Sequence, residues 1–186
     1  MAKILVLLAD GLEMCEALLA VDIWRRAKLE VVTASLNENK KVLSSHKVVI
    51  EADETLDEAS NRTDDFDMVF LPGGKLGSQN LENDHRVRSL CEKFAKEGKT
   101  VSAICAAPSV LAAFGLLKGK KASVHPAFKD KLESFGAIYS PAPITIDGIF
   151  ITGEALGASF GLSFAILERF SSPETITSIK FAICYR

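Results

Sequence analysis

Short apolar runs alternate along this chain with segments of helical spacing, and that alternation restricts the fold more than any other feature. Residues 4–8, Ile-Leu-Val-Leu-Leu, are apolar without interruption, as a strand covered on both faces would be. Residues 14–27 then read as a helix. Further strands are predicted over 29–34, 47–50, 67–71, 100–104 and 148–152, and further helices over 83–97, 107–117 and 159–170. Strands separated by helices of this length imply right-handed crossovers and a mainly parallel sheet between helical layers. The chain has 186 residues, with no repeat, low-complexity tract or Pro/Gly/Ser-rich linker, so one α/β domain over residues 1–186 is expected. Sites in such sheets form beyond the carboxyl ends of the strands. Three loops therefore stand out: residues 10–13, residues 72–77 and the turn at Cys105.

The segment Val101-Ser102-Ala103-Ile104-Cys105-Ala106-Ala107-Pro108-Ser109 reads as a strand, a corner and a helix start. Pro108 suits a first helical turn, where a missing N–H costs nothing. Alanines at 103, 106 and 107 leave the corner uncrowded, as a nucleophile elbow with sulfur in place of oxygen requires. A cysteine at a helix N-terminus faces unpaired N–H groups, which are expected to lower its pKa. The alternative is a small buried hydrophobe at a strand end.

Two upstream features weigh on that choice. Glu16 has Leu19, Ala20 and Ile23 as its helical neighbours, while Asp22, Arg25 and Arg26 form the polar arc. A carboxyl on an apolar face near the loop rim should have a raised pKa and could donate a hydrogen bond to a thiolate or pass a proton. The competing reading is a capping carboxylate. Gly73-Gly74, after the strand ending at Leu71, would let backbone N–H groups approach a ligand as an oxyanion site requires, or would form an ordinary turn. His125, in Val124-His125-Pro126, could serve as an acid/base beside the sulfur or be structural. His46 and His85 lie in polar surroundings and receive no role.

Charge and cysteine usage narrow the partners. A net charge of −2, from 22 basic and 24 acidic residues, offers no electrostatic case for nucleic acid or an anionic membrane. The other cysteines, Cys15, Cys91 and Cys184, fit no zinc spacing and form no C-x-x-C pair, and they read as packing or surface thiols. No metal or cofactor is expected; a P-loop and a G-x-G-x-x-G loop are both missing. The apolar run at the start is too short for a signal core or a membrane span, so a cytoplasmic protein with reduced thiols is expected.

The stretches ADGLEMCEALLAVDIWRRA, LPGGKLGSQNL, AICAAPSVL and HPAFKDKL occur in that order. Together they resemble the ThiJ/PfpI superfamily, in its DJ-one/YajL-like branch, from about residue 3 to residue 170. The resemblance implies a flavodoxin-like three-layer sandwich with a mainly parallel central sheet, and a homodimer. It implies that Cys105 is the oxidation-sensitive nucleophile and Glu16 its protonated hydrogen-bond partner. Gly74 and Ala106 would supply backbone N–H groups, and His125 the nearby imidazole. Some positions depart from the pattern. Ala106 stands where the protease-like branch has a histidine, so proteolysis is not expected. His46 replaces an arginine near the dimer seam. Glu154 and Leu156 replace the arginine and proline of a pocket-edging loop, which should make the wall more acidic and reshape it.

The implied activities are glutathione-independent glyoxalase, repair of glyoxal-modified proteins or nucleotides, and redox-regulated chaperoning. A thiolate adding to an α-oxoaldehyde, with Glu16 or else His125 as proton shuttle, accounts for the first two, and small reactive aldehydes or glycated proteins would be the partners. The second expectation is a redox sensor or chaperone working through oxidation of Cys105 without turnover. A non-catalytic binding module is a third.

Overall fold

A computed structural model describes residues 2–185. The chain begins with β1 (Lys3–Leu8), α1 (Met14–Arg26) and β2 (Glu30–Ser35). A small hairpin, β3 (Lys41–Leu43) with β4 (Val49–Glu51), leads to β5 (Glu54–Thr55) and α2 (Leu56–Ser60). Next come β6 (Met68–Leu71), α3 (Lys75–Asn83), α4 (His85–Lys96), β7 (Thr100–Ile104) and α5 (Pro108–Ala113). The remainder holds β8 (Lys121–Ala122), α6 (Lys129–Ser134), β9 (Ile138–Tyr139), β10 (Ile144–Asp147), β11 (Phe150–Gly153), α7 (Ser159–Phe170) and α8 (Pro173–Ala182).

Seven strands form the central sheet in the order β10-β11-β7-β6-β1-β2-β5. All neighbours are parallel except β10 and β11, which form an antiparallel edge hairpin. The fold is a mixed, mostly parallel sheet with helices on both sides, the flavodoxin-like sandwich.

The apolar run in β1 explains the layering. Successive side chains of a strand point to opposite faces. Ile4, Val6 and Leu8 therefore pack with Ala17, Trp24 and Leu162 of α1 and α7, while Leu5 and Leu7 pack with Phe94, Val110 and Leu111 of α4 and α5. Trp24 anchors the first layer. It is fully buried, donates its indole N–H to the carbonyl of Ser163 at 3.1 Å and meets Phe70 edge-on at 5.2 Å between centroids. A buried aromatic of that size contributes on the order of 3–5 kcal/mol.

Several elements differ from the sequence expectation. The strand predicted at 47–50 is β4, but it pairs with β3 outside the central sheet. Its alternating exposed and buried positions mark a two-stranded ribbon lying on the surface. The helix predicted over 83–97 starts at His85, because Asp84 is extended and accepts the N–H of Arg86 as a cap; a second helix, α3, precedes it. The helix predicted to reach residue 117 stops at Ala113, and Gly115 turns the chain with φ +80°. Residues 72–77 are only half loop, since α3 begins at Lys75.

Candidate functional site

Three chain segments converge at the carboxyl ends of β1, β6 and β7. The backbone of Cys105 lies between β7 and α5 in the left-handed region, with φ +63°. For a residue with a Cβ this costs about 1–3 kcal/mol and persists only where the surroundings enforce it. Here both backbone groups are pinned: the Cys105 N–H donates to the Gly153 carbonyl at 3.0 Å, and its carbonyl accepts the His125 N–H at 2.9 Å. The result is a strained elbow at the carboxyl end of β7.

Glu16 meets that thiol. Although it lies in the first turn of α1, it does not cap the helix; Glu13 does, accepting the Cys15 N–H. Glu16 is 1 % exposed, its carboxyl is hydrogen-bonded to the Cys105 thiol, and its Oε2 accepts the Gly73 N–H at 2.9 Å. Burial raises its pKa to about 7, against smaller lowering contributions from its two hydrogen bonds.

The glycine pair makes this meeting possible. A Cβ on Gly73 would lie 2.5 Å from both the Cys105 Cβ and Glu16 Oε2. A Cβ on Gly74, at φ +93°, would lie 2.4 Å from the Gly11 carbonyl oxygen and 2.6 Å from the Glu13 nitrogen. With neither Cβ present, the N–H groups of Gly74 and Ala106 both reach the Cys105 sulfur.

The expected lowering of the thiol pKa does not hold. Burial, followed by the charge of Glu16, pushes Cys105 up to about 12, outweighing the Gly74 and Ala106 N–H groups. The helix dipole cannot compensate: α5 starts three residues beyond the sulfur and has only 6 residues. Glu16 and Cys105 therefore behave as a pair that sheds one proton near 7 and holds the second until about 12. Between those limits the pair carries one negative charge, resting mainly on the carboxyl, and transfer of the thiol proton to Glu16 places it on sulfur. The Gly73 N–H stabilises the charge on the carboxyl oxygen; the Gly74 and Ala106 N–H groups stabilise it on sulfur.

A cavity of about 420 Å³ opens over the sulfur, lined by Glu13, Glu16, Gly74, Cys105, Ala106 and His125, with Ser45, His46, Lys75, Phe128, Ala155 and Leu156 completing the wall. All five residues expected at the site thus face one space. His125 is half-buried; its Nδ1 accepts the Ala127 N–H at 3.2 Å, so a neutral ring carries its proton on Nε2. His46, given no role from its polar neighbourhood, sits on the rim with Nδ1 3.0 Å from Ser45 Oγ and 3.6 Å from Glu13 Oε2. The acidic wall expected from Glu154 is supplied instead by Glu13; Leu156 lines the cavity and Glu154 does not. Ser45, His46 and Lys75 escaped the sequence reading because they come from β3–β4 and from the first residue of α3, two elements that left no clear periodic trace. Cys15 and Cys184 are exposed and Cys91 is buried, as expected for surface and packing thiols. Among the described residues no cluster of metal-ligating side chains occurs, and no helix is long and apolar enough to cross a membrane.

A flavodoxin-like sandwich with a left-handed cysteine between strand and helix, held against a buried carboxyl, defines a class of cysteine-elbow proteins. Within that class the DJ-1/PfpI family model matches residues 2–169, and the chain belongs to the DJ-1/PfpI family. It is 38% identical over 173 residues to protein DJ-1 homolog B of Arabidopsis thaliana, covering 92% of this chain but only 39% of that longer protein. It is 30% identical over 155 residues to a Thermococcus kodakarensis protein named deglycase TK1284, covering 83% of this chain and 91% of that one. The crystal structure of Drosophila melanogaster DJ-1beta superposes with a TM-score of 0.95 at 32% identity, covering 100% of this chain and 98% of that one.

The shared proton predicts a distinctive pH profile. Alkylation of Cys105 by iodoacetamide, followed by mass spectrometry, should show an inflection near 7 that belongs to the pair. In Glu16→Gln that inflection should vanish, leaving one ionisation of sulfur. Superimposable profiles for the two proteins would show that the carboxyl does not govern the thiol.

Proposed function

We propose that this protein is a cysteine-dependent, glutathione-independent glyoxalase and deglycase acting on α-oxoaldehydes such as methylglyoxal or on the adducts they form. The observation that carries the reading is the hydrogen-bonded Glu16–Cys105 pair at a strained elbow, with two backbone N–H groups on the sulfur. The archaeal relative's name, deglycase, agrees with it.

With the shared proton on Glu16, the Cys105 thiolate adds to the aldehyde carbon; a C–S bond forms and the aldehyde oxygen takes the proton, giving a hemithioacetal. Glu16, now a carboxylate, removes the hydrogen on that carbon as a proton and passes it to the neighbouring ketone oxygen, so an enediol forms. The enediol's hydroxyl on the sulfur-bearing carbon then returns its proton to Glu16, which delivers it to the neighbouring carbon; this gives the thioester of a 2-hydroxy acid, so one carbon has been oxidised and its neighbour reduced. Water then cleaves the C–S bond, releasing the 2-hydroxy acid and the thiol. An adducted amine or thiol carrier would leave when the oxoaldehyde is taken from it. Gly74 and Ala106 N–H groups face the charge as it passes from sulfur to oxygen, a role worth about 3–4 kcal/mol for a single donor in comparable sites. His125 lines the same cavity, and its Nε2–H would serve as the second proton donor.

Methylglyoxal should be converted to lactate by the purified protein. Cys105→Ser should lower kcat by at least about a thousandfold, and turnover that survives this change would sink the enzyme reading.

A second reading, a sensor or chaperone switched by oxidation of Cys105, is favoured by the same two N–H groups, which could hold the oxygens of a sulfinate. Limiting peroxide should then convert Cys105 to sulfinate ahead of the exposed Cys15 and Cys184. Uniform oxidation of the four thiols would discard that reading.

A homodimer also fits. Leu18 of α1, Val49 of β4 and Phe160 of α7 remain 40%, 61% and 39% exposed. Sedimentation equilibrium at micromolar concentration should give twice the chain mass, and a monomer there would reject the dimer.

A further inference from the structure

Beside the Cys105 cavity lies a second one, of about 480 Å³, between the β1–α1 loop, the β3–β4 hairpin and the start of α3. Its walls include Asp10, Ser45, Lys47, Lys75, Leu76 and Gln79. Ser45 and Lys75 line both cavities, so the two adjoin at these residues.

The charges around these cavities are unevenly satisfied. Asp10 is occupied: its Oδ1 accepts the Leu43 N–H at 2.7 Å and the Asn37 side-chain amide at 3.2 Å. Glu13 is occupied as well, accepting from the Cys15 N–H and from Ser45 Oγ and facing His46. Neither lysine ammonium has a hydrogen-bond or ion-pair partner among the described residues, although ten other lysines and arginines form ion pairs there. Lys75 is moreover the first residue of α3, where the helix dipole already presents positive charge and where Asp or Glu would be the favourable choice. A cation at that position raises the local potential instead of neutralising it. Gln79, one turn further along α3, adds an exposed amide donor.

We propose that this second cavity is the subsite for an anionic group, a carboxylate or a phosphate, on the end of the substrate remote from the reacting aldehyde, and that Lys75 and Lys47 are its cationic contacts. The inference rests on the oxoaldehyde reading and narrows its substrate class: the preferred substrate carries a negative charge a short arm away from the reactive carbon. Methylglyoxal, which has no such arm, would fill only the Cys105 end. Remote binding of this kind holds the aldehyde in place over the sulfur, so that its effect is read in kcat/KM.

The test compares phenylglyoxal with para-carboxyphenylglyoxal and with the phosphate ester of para-hydroxyphenylglyoxal at low ionic strength. The anionic substrates should be preferred by the native protein, and the Lys47→Met/Lys75→Met double variant should reduce that preference by about fivefold, the scale of two exposed charge contacts. Whichever anion suffers the larger fall identifies the source. Turnover of phenylglyoxal with a preference that the double variant leaves unchanged would overturn the subsite and leave the enzyme reading standing. If none of the three is turned over, the enzyme reading falls, and the subsite is read by protection of Cys105 from iodoacetamide. Protection by para-carboxymandelate that exceeds protection by mandelate, and is lost in the double variant, supports the subsite. Equal protection by the two acids overturns it.

Discussion

A carboxyl group shielded from water and hydrogen-bonded to a thiol is the interaction around which the rest of this molecule is arranged. Burial drives the acid up to about 7, and burial together with the charge of Glu16 drives the thiol to about 12. Together they need to surrender only one proton, and backbone N–H groups are provided for the charge wherever it settles. The helical layer of α1, the glycine corner after β6 and the pinned backbone of Cys105 each serve that arrangement.

Much of this was legible in the sequence because it concerns periodicity. The buried run in β1, the helix at 159–170 and the corner at Cys105 declare themselves through spacing and through Pro108. Glu16 did so too, since a carboxylate among Leu19, Ala20 and Ile23 has no ordinary reason to be there. The hairpin β3–β4 and helix α3 were harder to see. Their exposed positions carry lysines and serines, so neither shows an apolar stripe. Those elements build the far wall of the cleft, which is why His46 and Lys75 went unassigned. The thiol pKa failed for a different reason. A helix N-terminus can be read from sequence, but the desolvation that opposes it depends on what packs over the sulfur.

The polar groups of the rim are satisfied unevenly. Glu13, Ser45 and His46 form a mutually bonded group. Lys75 lines the same cavity and, like Lys47 in the adjoining one, has no ion-pair partner among the described residues. In the proposed subsite these two cations take the remote end of the substrate, so that orientation begins before any contact with the sulfur.

The close crossing at Gly73 and Gly74 also bears on attempts to copy this chemistry. Grafting a cysteine, a glutamate and a histidine onto another scaffold would reproduce the functional groups but not their approach, because ordinary side chains would hold the three segments apart. What has to be transplanted is a stretch of bare backbone: two residues without side chains, threaded between a helix start and a left-handed turn. A designer would begin with that void and add the reactive groups last.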